Sequence, residues 1–379
     1  MPRTVLISAG EASGDLHAAN LLKALQQMMP DVRARAMGGD KLRAAGAEML
    51  FDCADLAVVG IVEVLLNYRR IKGVLNAMIE EIRHNPPDLL ILVDYQEFNF
   101  RLARAAKQCG VKVLFYISPQ VWAWRPHRVH KIGEIIDMMA VLFPFEEKFY
   151  RDAGVPVSFV GNPLVDEVRP LRSKAEDLQH FGLDESRRII GLFPGSRKGE
   201  IKRVLPIQLK AAQLLRQRHP ELQFILPIAS TLKPEDIQPQ LEAYASLGVH
   251  AVQDCPYDVM QVCDAIITAS GTATLEIALM GVPNVITYRI APLSYFILKR
   301  MVTIEHIGLA NIVAEKEIVR EYIQHEARPE AIADEVERLL DDVTYRNTMI
   351  NEMAGLREKL GKPGGSRNVA QLAFELLQD

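Results

Sequence analysis

The sequence predicts an α/β protein built from two parallel-sheet halves. Short Val- and Ile-rich runs alternate with longer helical patterns, as βαβ units require. The alternation occurs twice, on either side of a polar, charge-rich stretch at Val165–Asp184 that contains Pro170. The chain has 379 residues, enough for two domains at roughly 150 residues each.

In the first half Thr4–Ala9 reads as a strand, followed by a Gly/Ser loop and a helix over Asp15–Met29. Asp88–Val93 is the next strand, then come a polar loop, a helix over Arg101–Gln108 and the strand Lys112–Ile117. The second half restarts with a strand at Arg188–Phe193, a loop at Pro194–Gly199 and a helix at Ile201–Arg218. Leu222–Leu226, Ala265–Thr268 and Asn284–Tyr288 read as further strands, with a helix at Thr272–Met280. Beyond about Glu330 the pattern is helical, broken at Gly361–Gly365.

Composition narrows the function. Hydrophobic residues make up 49% and charged residues 24% of the chain, ordinary globular values that argue against disorder or a fibrous repeat. A net charge of −4 gives no electrostatic footprint for nucleic acid. The four cysteines form no CxxC pair and read as cytosolic thiols or core residues. The amino terminus lacks the length and cleavage pattern of a signal peptide, and no apolar run is long enough to span a bilayer.

Several turns carry chemistry. Gly10-Glu11-Ala12-Ser13-Gly14-Asp15 joins a strand to a helix and presents backbone N–H groups to a ligand. It is not GxGxxG, so a dinucleotide site is disfavoured. Asp15 reads equally well as a cap of its own helix. Glu11, at the end of the first strand, reads as cleft-facing. Asp94 begins where a hydrophobic strand ends, beside Tyr95, Phe98 and Phe100. A carboxylate half desolvated there acquires the raised pKa of a general base; capping the following helix is the alternative, with Asn99 as an equal candidate. Ser118–Arg125 holds both tryptophans, Trp122 and Trp124, ahead of Arg125, His127, Arg128, His130 and Lys131. That pairing of aromatics and cations suits sugars and phosphates; a packed loop with a solvated basic helix face explains it as well.

In the second half Gly195, Ser196 and Arg197 form a strand-to-helix turn fit for a diphosphate. Ser270, Gly271, Thr272 and Ala273 form another, and Glu276, one turn into the helix, is placed to accept ribose hydroxyls or to act in a capping box. No Asp-x-Asp motif or zinc spacing occurs, so no metal is expected. Val58–Leu75 is apolar apart from a narrow polar face and ends in Arg69, Arg70 and Lys72. It suits a membrane interface or an acyl groove, with a buried core helix as the other reading.

The motifs GEASGD (Gly10–Asp15), VVGIVEVL (Val58–Leu65), SPQVWAWR (Ser118–Arg125), PGSR (Pro194–Arg197) and SGTATLE (Ser270–Glu276) together resemble the lipid-A-disaccharide synthase family, inverting glycosyltransferases of family nineteen. The resemblance runs in order from Gly10 to about Tyr322. It implies a GT-B fold, with two Rossmann-like parallel-sheet domains facing across a cleft. Residues 1–165 would form an acceptor and membrane-associating domain, 166–350 a UDP-sugar-binding domain, and 351–379 a helix crossing back to the first.

The implied reaction transfers 2,3-diacylglucosamine from UDP-2,3-diacylglucosamine to the 6-hydroxyl of 2,3-diacylglucosamine 1-phosphate. UDP leaves, and a β-1′,6-linked lipid A precursor forms. By motif, Asp94 is the general base, Glu11 its rival or helper, and Arg197 the diphosphate stabiliser with Gly195 and Ser196. Ser270, Gly271, Thr272, Ala273 and Glu276 hold the nucleotide. Ser13, Asn99, Gln120, Trp122, Trp124 and Asn311 line the site or the acceptor. Val58, Ile61, Val62, Leu65, Arg69, Arg70 and Lys72 meet the inner face of the cytoplasmic membrane peripherally. No cofactor is implied, and a homodimer is left open. The chain departs from the family pattern after Asp94, where Tyr95-Gln96-Glu97 replaces a more usual proline and aspartate, making Glu97 a conservative replacement.

Two other classes compete. A UDP-N-acetylglucosamine 2-epimerase also uses carboxylates on a UDP-sugar but has no use for the apolar stretch at Val58–Leu75. A non-catalytic nucleotide-binding or membrane-adaptor module would not need Asp94.

Overall fold

The computed structural model describes residues 2–53, 61–253, 255–291, 295, 296, 300 and 304–378, the side chains of 61–67 excepted. The chain divides into two compact units, Met1–Pro163 with Leu360–Asp379, and Leu164–Lys359.

The first unit holds a seven-stranded sheet in the order β3-β2-β1-β4-β5-β6-β7. Its strands are β1 (Thr4–Ala9), β2 (Arg33–Gly38), β3 (Glu48–Asp52), β4 (Leu89–Val93), β5 (Lys112–Tyr116), β6 (Met138–Val141) and β7 (Val157–Phe159). All neighbours pair in parallel, with Ile7 opposite Ala36 on one side and Ile91 on the other. Helices cover both faces, which explains why β1 and β4 are continuous apolar runs rather than alternating ones. Val5, Ile7, Leu89 and Ile91 pack with Leu22, Leu25 and, from the final helix Gly365–Gln378, Val369 and Ala373. Leu6, Leu90 and Leu92 face the other way, onto Met78, Ile82 and Leu102.

The second unit repeats the plan with six strands in the order β10-β9-β8-β11-β12-β13. These are β8 (Ile189–Phe193), β9 (Gln223–Ile228), β10 (His250–Gln253), β11 (Ala265–Ala269), β12 (Asn284–Tyr288) and β13 (Glu321–Ile323). They too are parallel throughout.

In each sheet the order reverses at one place, between β1 and β4 and between β8 and β11. Such switch points open a crevice at the carboxyl ends of the strands. Glu11 and Asp94 follow the two strands at the first; Pro194–Arg197 and Ser270–Gly271 follow the two strands at the second.

Three helix starts lie earlier than the spacing predicts. The helix expected from Asp15 begins at Ala12, with extended Glu11 as its N-cap residue, the one expected from Arg101 begins at Gln96, and the one expected from Ile201 begins at Lys198. In each, the first turn holds polar residues that the apolar periodicity does not register. The strand β2 (Arg33–Gly38) interleaves Arg33 and Arg35 with Ala34 and Ala36; Arg35 forms an ion pair with Glu81.

The helix Ile61–His84 contains most of the apolar stretch. Val58 lies outside the described residues, as do the side chains of Ile61, Val62 and Leu65. Arg69, Arg70 and Lys72 are exposed, and further along Leu75, Met78 and Ile82 turn into the core. Among the described residues no helix is long and apolar enough to cross a membrane.

Candidate active site

At the first switch point the chain leaves β4 in an unusual conformation. Asp94 and Tyr95 both have positive φ, 49° and 45°, and two successive non-glycine residues in the left-handed region cost roughly 1–2 kcal/mol each. Side-chain amide bonds hold them there. Asn99 is fully buried and its Nδ2 donates to the Asp94 carbonyl at 2.7 Å. The Ser8 hydroxyl, from β1, donates to Asn99 Oδ1 at 2.6 Å. The Asp94 N–H donates to the carbonyl of Tyr116 at 3.0 Å. Gly10 has to be glycine: a Cβ there would run into the Tyr95 ring.

The result is a half-buried carboxyl group beside a second one. Burial first, and the Glu11 carboxylate second, push the Asp94 pKa above its usual range, against a hydrogen bond from the Tyr95 N–H that lowers it. Burial and Glu11 also raise the Tyr95 phenol. Glu11 and Ser13 are exposed. Asp15 is not a cap of its own helix. It is buried and accepts from the N–H groups of Gly39 (2.7 Å), Lys41 (2.9 Å) and Leu42 (3.2 Å), closing the turn after β2.

After β5, Ile117 also has positive φ, 70°, an outlier for a β-branched residue. The loop that follows packs on the helix Pro144–Asp152: Trp122 Nε1 donates to Glu146 Oε1 at 3.1 Å, and Trp122 meets Phe145 edge-on. Glu146 is fully buried, and that burial raises its pKa to about 7 despite bonds from Trp122 and the Phe143 N–H. Trp122 is therefore anchored by a buried acid, a partner that no local motif announced. Trp124 carries the Arg125 guanidinium 4.3 Å from its ring centre, and Gln120 is exposed.

At the second switch point Gly195 has φ of 107°, and a Cβ there would collide with Glu200. Glu200 Oε2 accepts from the N–H groups of Ser196 (3.1 Å) and Arg197 (3.3 Å), and Oε1 from Arg197 at 3.1 Å. The turn thus already holds a carboxylate at the start of the helix Lys198–Arg218, as a helix N-terminus favours. The Arg197 side chain is 75% exposed, so its guanidinium retains free edges for a further anion.

In the neighbouring turn Gly271 and Thr272 are exposed and Ala273 half-buried. Ser270 turns its hydroxyl inward to the Ile307 carbonyl at 2.8 Å. Glu276 accepts from the Tyr257 hydroxyl at 2.9 Å rather than forming a capping box. Burial raises the Glu276 pKa, and burial followed by Asp166 and Glu276 raises that of Glu167. Tyr257 and Glu167 are neighbours of Glu276 that motif reading missed.

Asn311 is fully buried. It clips the turn before β13 through Val319 and Ile318 backbone groups and Glu321. Asn99 and Asn311, read as site-lining residues, spend their amides on backbone groups and on the Ser8 and Glu321 side chains, bracing the loops they belong to. A cavity of about 1030 Å³ at the ends of β12 and β13 is lined by Arg203, Arg289, Arg300, Tyr295 and Phe296 among others; these arginines are scattered in sequence and gave no motif.

Two doubly wound parallel sheets, each with chemically loaded turns at its switch point, define a protein of the GT-B class. Solved structures agree. UDP-N-acetylglucosamine 2-epimerase from Neisseria meningitidis, bound to UDP-GlcNAc, matches with a TM-score of 0.65 at 12% identity, over 98% of this chain and 100% of that one. A glycosyltransferase from Rickettsia africae matches at 0.58 and 12% identity, over 100% and 98%. At such identities the likeness speaks for the fold alone.

Sequence comparison is more specific. The family model described as Lipid-A-disaccharide synthetase matches residues 5–372. The lipid-A-disaccharide synthase of Geobacter metallireducens is 54% identical over 375 residues, 99% of this chain and 97% of the other. That of Geobacter sulfurreducens is 53% identical over 373 residues, 98% and 97%. The chain belongs to the lipid-A-disaccharide synthase family, and is a glycosyltransferase.

Proposed function

We propose that the chain transfers 2,3-diacylglucosamine from UDP-2,3-diacylglucosamine to the 6-hydroxyl of 2,3-diacylglucosamine 1-phosphate, with inversion and without a metal. The observation that carries the reading is Asp94: a half-buried carboxyl at a switch point, raised in pKa by burial and by Glu11, in a chain of this family.

Asp94 takes the proton of the acceptor hydroxyl as its oxygen bonds to the anomeric carbon. The bond from that carbon to the UDP oxygen breaks on the opposite face. Negative charge then grows on the departing diphosphate. Arg197 and the amino ends of the helices Lys198–Arg218 and Thr272–Leu279 supply the compensating positive potential. A diphosphate bound at Ser196 and Arg197 competes with Glu200 for the same N–H groups, so nucleotide binding would swing that carboxylate aside. Glu276 accepts ribose hydroxyls, with Tyr257 holding it in place.

On this reading the first unit receives the acceptor and the second the nucleotide sugar. Exposed Arg69, Arg70 and Lys72 would draw the protein to anionic lipid as a peripheral enzyme. Mass spectrometry and proton NMR of the products from the two acylated substrates, formed with EDTA present, test the proposal. A disaccharide monophosphate with a β linkage is expected; epimerised UDP-N-acetylglucosamine formed without any acceptor would overturn it.

A further inference from the structure

Beside Phe100 the first unit contains a second cavity, of about 340 Å³. Four permanent cations line it: Arg104 from the helix Gln96–Gln108, and Arg125, Arg128 and Lys131 from the segment after the tryptophans. His127 lines it as well, and no carboxylate is among the lining residues. Among the described residues only Arg128 of the four cations has an ion-pair partner, Glu97 at 2.8 Å.

Two of the guanidinium groups are also held in place. Arg128 lies 5.5 Å from the Phe100 ring centre and Arg125 4.3 Å from that of Trp124. Aromatic faces orient a guanidinium and leave its N–H edges available for an oxyanion. Concentrated, unbalanced positive charge in a concave site attracts a multiply charged anion far more than a singly charged one.

We propose that this cavity binds a phosphate monoester. Such a group carries close to two negative charges at neutral pH and offers three acceptor oxygens, whereas a phosphodiester offers one charge. The cavity belongs to the same helix whose first turn follows Asp94. The helix begins at Gln96, two residues after Asp94, and Phe100 lies roughly 6 Å further along its axis, a separation on the order of the length of a sugar phosphate. Resting on the function proposed above, the ligand is the 1-phosphate of the acceptor, held so that the sugar reaches Asp94. Glu97, where the family more often has aspartate, then acts as a positioning residue by fixing Arg128.

The phosphate of a sugar and the headgroup of an anionic lipid share this chemistry, so the test has three arms. Calorimetric titration of the intact protein with glucosamine 1-phosphate should show saturable binding that glucosamine does not. Arg104→Gln and Lys131→Gln, made separately because neither breaks the Glu97 pair, should each weaken it about tenfold, the scale of one charge-assisted hydrogen bond. In turnover assays the same variants should raise KM for the acylated acceptor phosphate by a similar factor and leave KM for the donor unchanged. Co-sedimentation with phosphatidylglycerol vesicles should not change. Equal binding of glucosamine and its phosphate, or variants that bind like the parent, would overturn the proposal. Loss of vesicle binding with unaltered glucosamine 1-phosphate affinity would overturn it in favour of a lipid headgroup site. If the parent protein made no disaccharide, the function proposed above would fail while the titration still decided the cavity.

Discussion

The two switch points share a backbone plan and differ in what fills it. At β1 and β4 the turns carry carboxyl groups, Glu11 and Asp94, and the strain of two left-handed residues. At β8 and β11 they carry glycine and hydroxyl residues, backbone N–H groups at helix starts, and Arg197. On the proposed reaction the first holds a proton acceptor in a half-dry place and the second an anion. One topology would then separate acid–base work from charge stabilisation simply by the residues placed at equivalent crevices.

The contrast breaks most sharply at Asp94. Asp94→Asn should lower kcat by about 10²–10⁴-fold, the usual contribution of a general base, while UDP affinity measured by calorimetry stays near the parent value. Near-normal turnover would move the proton to another group. Arg197→Ala should instead weaken UDP binding about tenfold, with turnover falling alongside, as loss of one charge-assisted contact implies. Unchanged UDP affinity would remove the distinction between the two crevices.

The backbone strain offers a third test. Asn99→Ala leaves the Asp94 carbonyl and the Ser8 hydroxyl without their partner, a cost of about 1–3 kcal/mol. Denaturant titration should show that loss of stability, with turnover reduced and UDP binding kept. The smallest effect concerns pH. Because burial and then the Glu11 charge raise the Asp94 pKa, activity in the parent should fall as pH drops through a value above the ordinary carboxylate range. Removing that neighbouring charge in Glu11→Gln lowers the Asp94 pKa, so the acid limb of kcat/KM should move to lower pH. An unmoved limb would mean that the two carboxylates do not sense each other in turnover.

Much of this arrangement is written locally. Both glycine-bearing turns of the second unit, the strand before each, and the carboxylate at the end of β4 stand in the sequence because apolar runs and turn residues are short-range signals. Strands such as β2, with arginines alternating along it, and three-residue β7 and β13 lack that signal. Pairings across long separations left no trace either. Asp15 closes a turn 24 residues away, Ser8 reaches Asn99 over 91 residues, and Trp122 finds Glu146 over 24.

By itself, the sequence determined the class: apolar runs buried on both faces need helices on both sides, and its motif set places the chain in one family. Only the tertiary structure decided which turns share a crevice, because strand order depends on pairing between distant segments. It also decided which polar residues are free to meet a ligand. Asn99, Asn311 and Asp15 look as available in sequence as Glu11, yet buried backbone groups require partners, and these side chains supply them.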